Sequence, residues 1–161
     1  MLSSEQAPKL ERLLSVTHDL ESATDMEQLV QRLKVAASEL TGSEAASILE
    51  FDEISNSLHF VAASWFRRQS LKNIVVPLEG SIAGWVFGNN EPLIVQDVAN
   101  DPRHFKGVDQ AINFTTSSLA AVPLTYQGNT IGVLEVVNKA DNAHYTEDDV
   151  TLLEILAQFA A

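Results

Sequence analysis

The sequence predicts an α+β domain: a central antiparallel sheet, with N- and C-terminal helices on one face and a pocket covered by loops and a short helix on the other. Three observations carry this. Apolar stripes of helical period open and close the chain of 161 residues. Between them lie alternating apolar segments separated by turn residues. Within residues 80–149 a helix start, a long irregular crossover and a strand-to-helix turn follow in order, the plan of a small-molecule pocket roofed by loops over a sheet.

Residues 4–20 form a first helix, with Leu10, Leu13, Leu14, Val16 and Leu20 apolar and Glu11, Arg12 and Asp19 outside the stripe. Thr24 is placed to cap a second helix, and Glu27 three residues on completes a capping box. That helix runs to about Leu40 and stops at Thr41-Gly42. Residues 46–51 and 58–65, the latter ending at Trp65, read as an antiparallel hairpin. Ser81 caps a short helix through Phe87, ended by Gly88-Asn89-Asn90. Leu93-Ile94-Val95 is a short strand, and Asp97 to Thr116 a crossover broken by Pro102 and Gly107. Residues 118–124 and 130–137 are strands around the turn Gln127-Gly128-Asn129. Thr146 caps a last helix whose buried face is Val150, Leu153, Leu156 and Ala157.

Hydrophobic residues make up 45% of the chain, enough for one buried core. Ten Lys and Arg against 22 Asp and Glu give a net charge of −12, which repels phosphate backbones and anionic lipid; nucleic acid and membrane are excluded as partners. The sequence has no cysteine, which removes disulfides, thiolate nucleophiles, Cys-ligated metals and a covalently attached bilin. The start, Met1-Leu2-Ser3-Ser4-Glu5-Gln6, lacks the basic and apolar regions of a signal peptide, and no apolar run approaches the roughly 20 residues that span a bilayer. The expectation is a cytoplasmic protein, or a piece of a larger one.

The helix start at Ser81 offers amides and a positive dipole end to a phosphate or carboxylate; the alternative is a plain cap, with Ala83 and Gly84 small for close packing. Trp65 either stacks on a flat ligand or fills the core. His104 either contacts a ligand or caps its own loop. His18, His59, His104 and His144 lack metal-ligand spacing, so no metal site is expected. Lys139 and Asp149 are expected to pair as a structural salt bridge. No Ser–His–acid order or paired-carboxylate cleft stands out, so the chain is read as no enzyme, without catalytic residues.

Several segments together resemble one family: Ile82-Ala83-Gly84, the crossover Asp97…Pro102…Phe105…Gly107-Val108-Asp109…Phe114…Thr116, and Gly132 through Lys139. A further signature of that family, Asn-Lys…Phe…Asp-Glu, reads here Asn138-Lys139…Tyr145…Asp149-Val150. Residues 25–161 thus resemble a GAF domain, closest in motif to the cyclic-nucleotide-binding type of phosphodiesterases and bacterial signalling proteins. The resemblance implies that Ser47 and Trp65 meet a purine, that Ile82 and Ala83 turn backbone amides to a cyclic phosphate, and that Thr116 and Glu135 hold further pocket positions. Strand ends, helix start and crossover converge on one sheet face, so the expected ligand-binding residues are Ser47, Trp65, Ile82, Ala83, His104, Phe105, Ile112, Thr116 and Glu135. Phe66 stands where the family often has Asp, and Ile112 where it has Thr. Both remove a polar contact, so cyclic-nucleotide affinity is expected to be weak or absent and the ligand, a cyclic nucleotide or another small molecule, stays open.

The implied function is a sensory regulatory domain that relays ligand binding through its flanking helices to an output domain (kinase, cyclase, phosphatase or transcriptional activator) in a longer parent chain. The alternative is a dimerisation or interaction module of the same fold without ligand. Residues 1–22 are read as a connecting helix and 23–161 as the GAF-like domain, its last helix running on. Leu10, Leu13, Leu14 and Leu20 with Leu152, Ile155 and Phe159 are expected to form an apolar surface closed by a homodimer.

Overall fold

The computed structural model describes residues 6–63, 74–103 and 116–159. Helix α1 (Gln6–Glu21) turns Val16 and Leu20, four apart, into the core, while Leu14 stands 60% exposed. The side chains of Leu10 and Leu13 lie outside the described set. Helix α2 (Met26–Thr41) is capped by Asp25 and not by Thr24. Asp25 Oδ1 accepts from the Gln28 amide at 2.8 Å, and Gln28 Oε1 accepts from the Thr24 amide at 3.1 Å and its hydroxyl at 3.0 Å. The expected Thr24–Glu27 pairing is thus one residue early. Both spacings satisfy the capping rule, and the residue that takes the extended conformation decides: Asp25, at φ −147. Gly42, at φ 64, closes α2 with its amide turned back to the Glu39 and Ser38 carbonyls.

Six strands form one sheet in the order β3-β2-β1-β6-β5-β4. They are β1 (Ser43–Asp52), β2 (Ser57–Ala63), β3 (Val75–Pro77), β4 (Leu93–Val95), β5 (Leu119–Tyr126) and β6 (Asn129–Lys139), each pair antiparallel. Strand β3 has no counterpart among the expected strands, because three residues at a sheet edge are too few to show alternation. Strand β2 is described from Ser57 to Ala63, and Trp65 lies outside the described residues. The β5–β6 connection places both Gln127 (φ 51) and Gly128 (φ 82) in the left-handed region, the type of two-residue hairpin that matches strand twist.

Side chains along β1 and β6 alternate between two apolar layers. Ala46, Ile48, Leu134 and Val136 meet Leu33, Ala36 and Ala37 of α2 and Leu153 and Leu156 of α4 (Glu147–Ala157). Ala45, Leu49, Val133 and Val137 meet Ile82, Ala83 and Val86 of α3 (Ile82–Asn89) and Val98 of a 3-10 turn (Val98–Asn100). The architecture is the one the sequence predicts: an antiparallel sheet with terminal helices on one face and a short helix on the other. The expected apolar surface is open only in part: Leu20 is buried, Leu152 and Ile155 are half-buried, and Phe159, just past α4, packs on the helix-side core. A helix lying flat on a twisted sheet buries an arc wider than one stripe. Among the described residues no helix is long and apolar enough to cross a membrane.

Candidate ligand site

Strands β1 and β6 pair with Ser47 opposite Glu135. Alternation sends both side chains to the α3 face, where their neighbours Ala45, Leu49, Val133 and Val137 are apolar. Ser47 Oγ donates to Glu135 Oε1 at 3.0 Å. Ser47 is 0% exposed and Glu135 9%. A carboxylate held in such a layer needs hydrogen-bond donors, and the serine hydroxyl is one. The register continues the row to Ala63 on β2 and Ala121 on β5, so the pair is flanked in the sheet by two of the smallest residues.

On the same face of the sheet sits the start of α3. Ser81 Oγ accepts from the Gly84 amide at 2.9 Å, and its hydroxyl donates to the Pro77 carbonyl. The cap takes up one first-turn amide and leaves those of Ile82 and Ala83 at the positive end of the helix. The close seat of α3 requires glycine at 84: a Cβ there would lie 2.0 Å from the Leu78 carbonyl oxygen. Gly84→Ala is therefore expected to displace the helix start and cost about 2 kcal/mol or more, read as a fall in melting temperature. An unchanged melting temperature would show that the helix can shift freely.

Among the nine expected ligand residues, Ser47 and Glu135 touch, and Ile82 and Ala83 pack in the same apolar layer. Thr116 is buried where the crossover returns to β5. Trp65, His104, Phe105 and Ile112 lie outside the described residues, as does Phe66. The crossover is pinned at its base by the Val98 amide on the Ser117 carbonyl at 2.9 Å. Asp101, Arg103 and Trp85 were not singled out from the sequence. Arg103 Nε and an Nη chelate the Asp101 carboxylate at 2.9 and 2.7 Å, and its guanidinium lies 5.3 Å from the centre of the Trp85 ring. The acid-to-base spacing in Asp101-Pro102-Arg103 was the available signal.

At the far end of β6, Lys139 Nζ lies 2.6 Å from Asp149 Oδ2 and donates to the Thr41 carbonyl at 3.1 Å. Asp149 also accepts from the Thr146 amide at 2.9 Å, which closes the capping box of α4. Tyr145 OH and Ser43 Oγ share a hydrogen bond of 2.7 Å, continued from Ser43 to Thr41 at 2.7 Å. Burial first, with the Asp149 charge adding, pushes the Tyr145 phenol well above the ordinary tyrosine range. The chain therefore ties the ends of α2, β1 and β6 to the start of α4. Beside it lies a concavity of about 500 Å³ lined largely by polar groups, among them Glu44, Gln96, Ser117 and Asn138. Its walls are hydrogen-bonded to one another: Asn138 accepts from the Ser117 amide at 2.7 Å and donates to Glu44 at 3.1 Å. Among the described residues no group of three or more His, Asp or Glu is placed to hold a metal ion.

Helices on one face of an antiparallel sheet, with a short capped helix and a buried polar pair on the other, define a class of α+β module. The chain belongs to the GAF domain family, whose profile matches residues 23–161. It is 32% identical over 88 residues, 55% of this chain, to a protein named "Probable 3',5'-cyclic phosphodiesterase pde-5" from Caenorhabditis elegans, and covers 12% of it. It is 22% identical over 155 residues, 88% of this chain, to a "cGMP-specific 3',5'-cyclic phosphodiesterase" from Drosophila mojavensis, and covers 14% of that protein. The chain thus spans a small part of these relatives. The solved GAF domain of a phosphoenolpyruvate-protein phosphotransferase from Coxiella burnetii superposes with a TM-score of 0.83 at 18% identity, covering 94% of this chain and 90% of that one. At that identity the likeness speaks to fold. GAF domains are sensory and regulatory modules of signalling proteins, which is the coarse function this chain shares.

Proposed function

We propose that this chain is a small-molecule-sensing domain whose ligand lies between the Ser47–Glu135 row and the start of α3. The buried Ser47–Glu135 pair carries the reading, because a carboxylate and hydroxyl in an apolar layer are retained at a cost that ligand recognition would explain. The carboxylate accepts N–H or O–H groups, while the Ile82 and Ala83 amides suit an anionic group, so the ligand has a donor-rich face and a negatively charged end. Trp65, His104, Phe105, Ile112 and Thr116 complete the proposed wall. Phe66 and Ile112 make cyclic GMP and cyclic AMP weak ligands. The helices α1 and α4 carry the change to an output domain, in a cytoplasmic parent protein.

The test is native mass spectrometry of protein purified from cells, followed by calorimetry with whatever small molecule is retained and with both cyclic nucleotides. Glu135→Gln, which removes the charge behind the ligand's hydrogen bond, and Ser47→Ala, which removes the hydroxyl that positions the carboxylate, are each expected to weaken the retained ligand about tenfold. Unchanged affinity in both variants would remove the site from this face of the sheet. Tight binding of a cyclic nucleotide would overturn the assignment of Phe66 and Ile112.

A second reading, an interaction module without ligand, has its own observation. Leu14 on α1 and Val35 on α2 are 60% and 50% exposed. They would be covered in a two-fold homodimer packed through these helices. Sedimentation at tens of micromolar is expected to give a dimer that Leu14→Glu with Val35→Glu turns into a monomer.

A further inference from the structure

We propose that Arg103 is a positioning residue that latches the first part of the crossover to α3 through the face of Trp85. Three contacts converge on it. Asp101 Oδ1 accepts from both the Arg103 amide (2.8 Å) and Nε (2.9 Å), and Oδ2 accepts from an Nη at 2.7 Å. This two-pronged grip fixes the plane of the guanidinium, which lies over the Trp85 ring at 5.3 Å. Trp85 sits one turn into α3, and its amide donates to the Ser81 carbonyl at 3.1 Å. The same chain segment is anchored behind Arg103 as well: Asp101 donates its amide to the Val98 carbonyl at 3.1 Å, and Val98 is fully buried and bonded to Ser117. A displacement of the α3 start therefore reaches residues 101–103 through this cation, beside the apolar layer that Val98 shares with α3. A lysine cannot replace it, because an ammonium has neither the fork that grips both carboxylate oxygens nor the plane that stacks. In functional terms the latch would couple occupancy at Ile82 and Ala83 to the crossover. That meaning rests on the ligand reading above, whereas the latch itself can be measured without ligand.

The measurement is amide hydrogen exchange on the unliganded full chain. Arg103→Ala and Trp85→Leu are each expected to speed exchange at the Val98 and Asp101 amides about fivefold, with amides of the central strands β1 and β6 unaffected. The double variant should exchange no faster than the more affected single one, since both remove one contact. Trp85→Phe keeps an aromatic face and is expected to retain most of the protection, while Arg103→Lys loses it. Additive effects, or equal loss with Phe and Leu at position 85, would mean that the two side chains act separately and would overturn the latch. If Trp85→Leu does not fold, the contrast of Ala and Lys at position 103 with Phe at position 85 decides: full protection in Arg103→Ala refutes the proposal. None of these outcomes depends on a ligand, so failure of the latch and failure of the ligand site are seen in different experiments.

Discussion

Gly132→Ala is expected to be the most damaging single methyl addition in the sheet. Gly132 lies in β6, paired with Glu50 of β1 and Leu124 of β5. A Cβ on it would stand 2.2 Å from the Leu49 carbonyl oxygen and 3.3 Å from the Leu49 carbonyl carbon. Both obstacles are backbone, so no rotamer change relieves them. Strands β1 and β6 would have to separate by close to an ångström at the centre of the sheet, lengthening the hydrogen bonds on either side. Overpacking costs about 1–3 kcal/mol even where side chains can yield, and here the upper end is expected. For a domain of this size that lowers the melting temperature by roughly 6–12 °C. Thermal unfolding followed by circular dichroism measures it directly. A fall of less than about 2 °C would show that the sheet opens at this point with little cost.

Lys139→Ala is expected to cost nearly as much. The exposure of the two side chains decides the magnitude: 20% for Lys139 and 7% for Asp149. An exposed pair contributes about 1 kcal/mol or less, but removing one partner of a buried pair leaves a charge without compensation and costs about 3–5 kcal/mol. Here Asp149 keeps the Thr146 amide after the lysine is gone, which places the expected loss near 3 kcal/mol. The lysine also donates to the Thr41 carbonyl and lies 5.5 Å from the Tyr145 ring centre, so α2 and α4 loosen together. Replacing both charges, Lys139→Met with Asp149→Leu, should recover at least half of the loss, because no buried charge then remains. Denaturant unfolding of the three variants makes the comparison. A double variant no more stable than Lys139→Ala would mean that the cap of α4, and not the ion pair, carries the energy.

Local features of this fold are legible in the sequence because neighbouring residues settle them. Thr146 and Asp149, three apart, close a capping box through their own side chains and amides. Gly128 takes its positive φ without strain and marks the β5–β6 hairpin, with Gln127 also in the left-handed region. Val150, Leu153, Leu156 and Ala157 recur at helical spacing and are buried. The candidate site is legible only through the order of its elements and the resemblance to a family. No periodicity marks Ser47 or Glu135, and Trp65, His104, Phe105 and Ile112 fall outside the described residues.

The tertiary structure decided whatever depends on register or close approach. Thr24 and Asp25 are both admissible caps, Asp the better of the two, and the path of the chain into α2 uses Asp25. Ser47 meets Glu135 across 88 residues because β1 and β6 pair in one register; a slip of one residue would turn one of the two to the opposite face. Gly84 and Gly132 look like ordinary glycines, without positive φ, until the carbonyls of Leu78 and Leu49 approach them. Arg103 finds Trp85 only once residues 98–103 are packed beside α3. Short-range chemistry is written in adjacent residues, whereas these contacts exist only between segments that packing brings together.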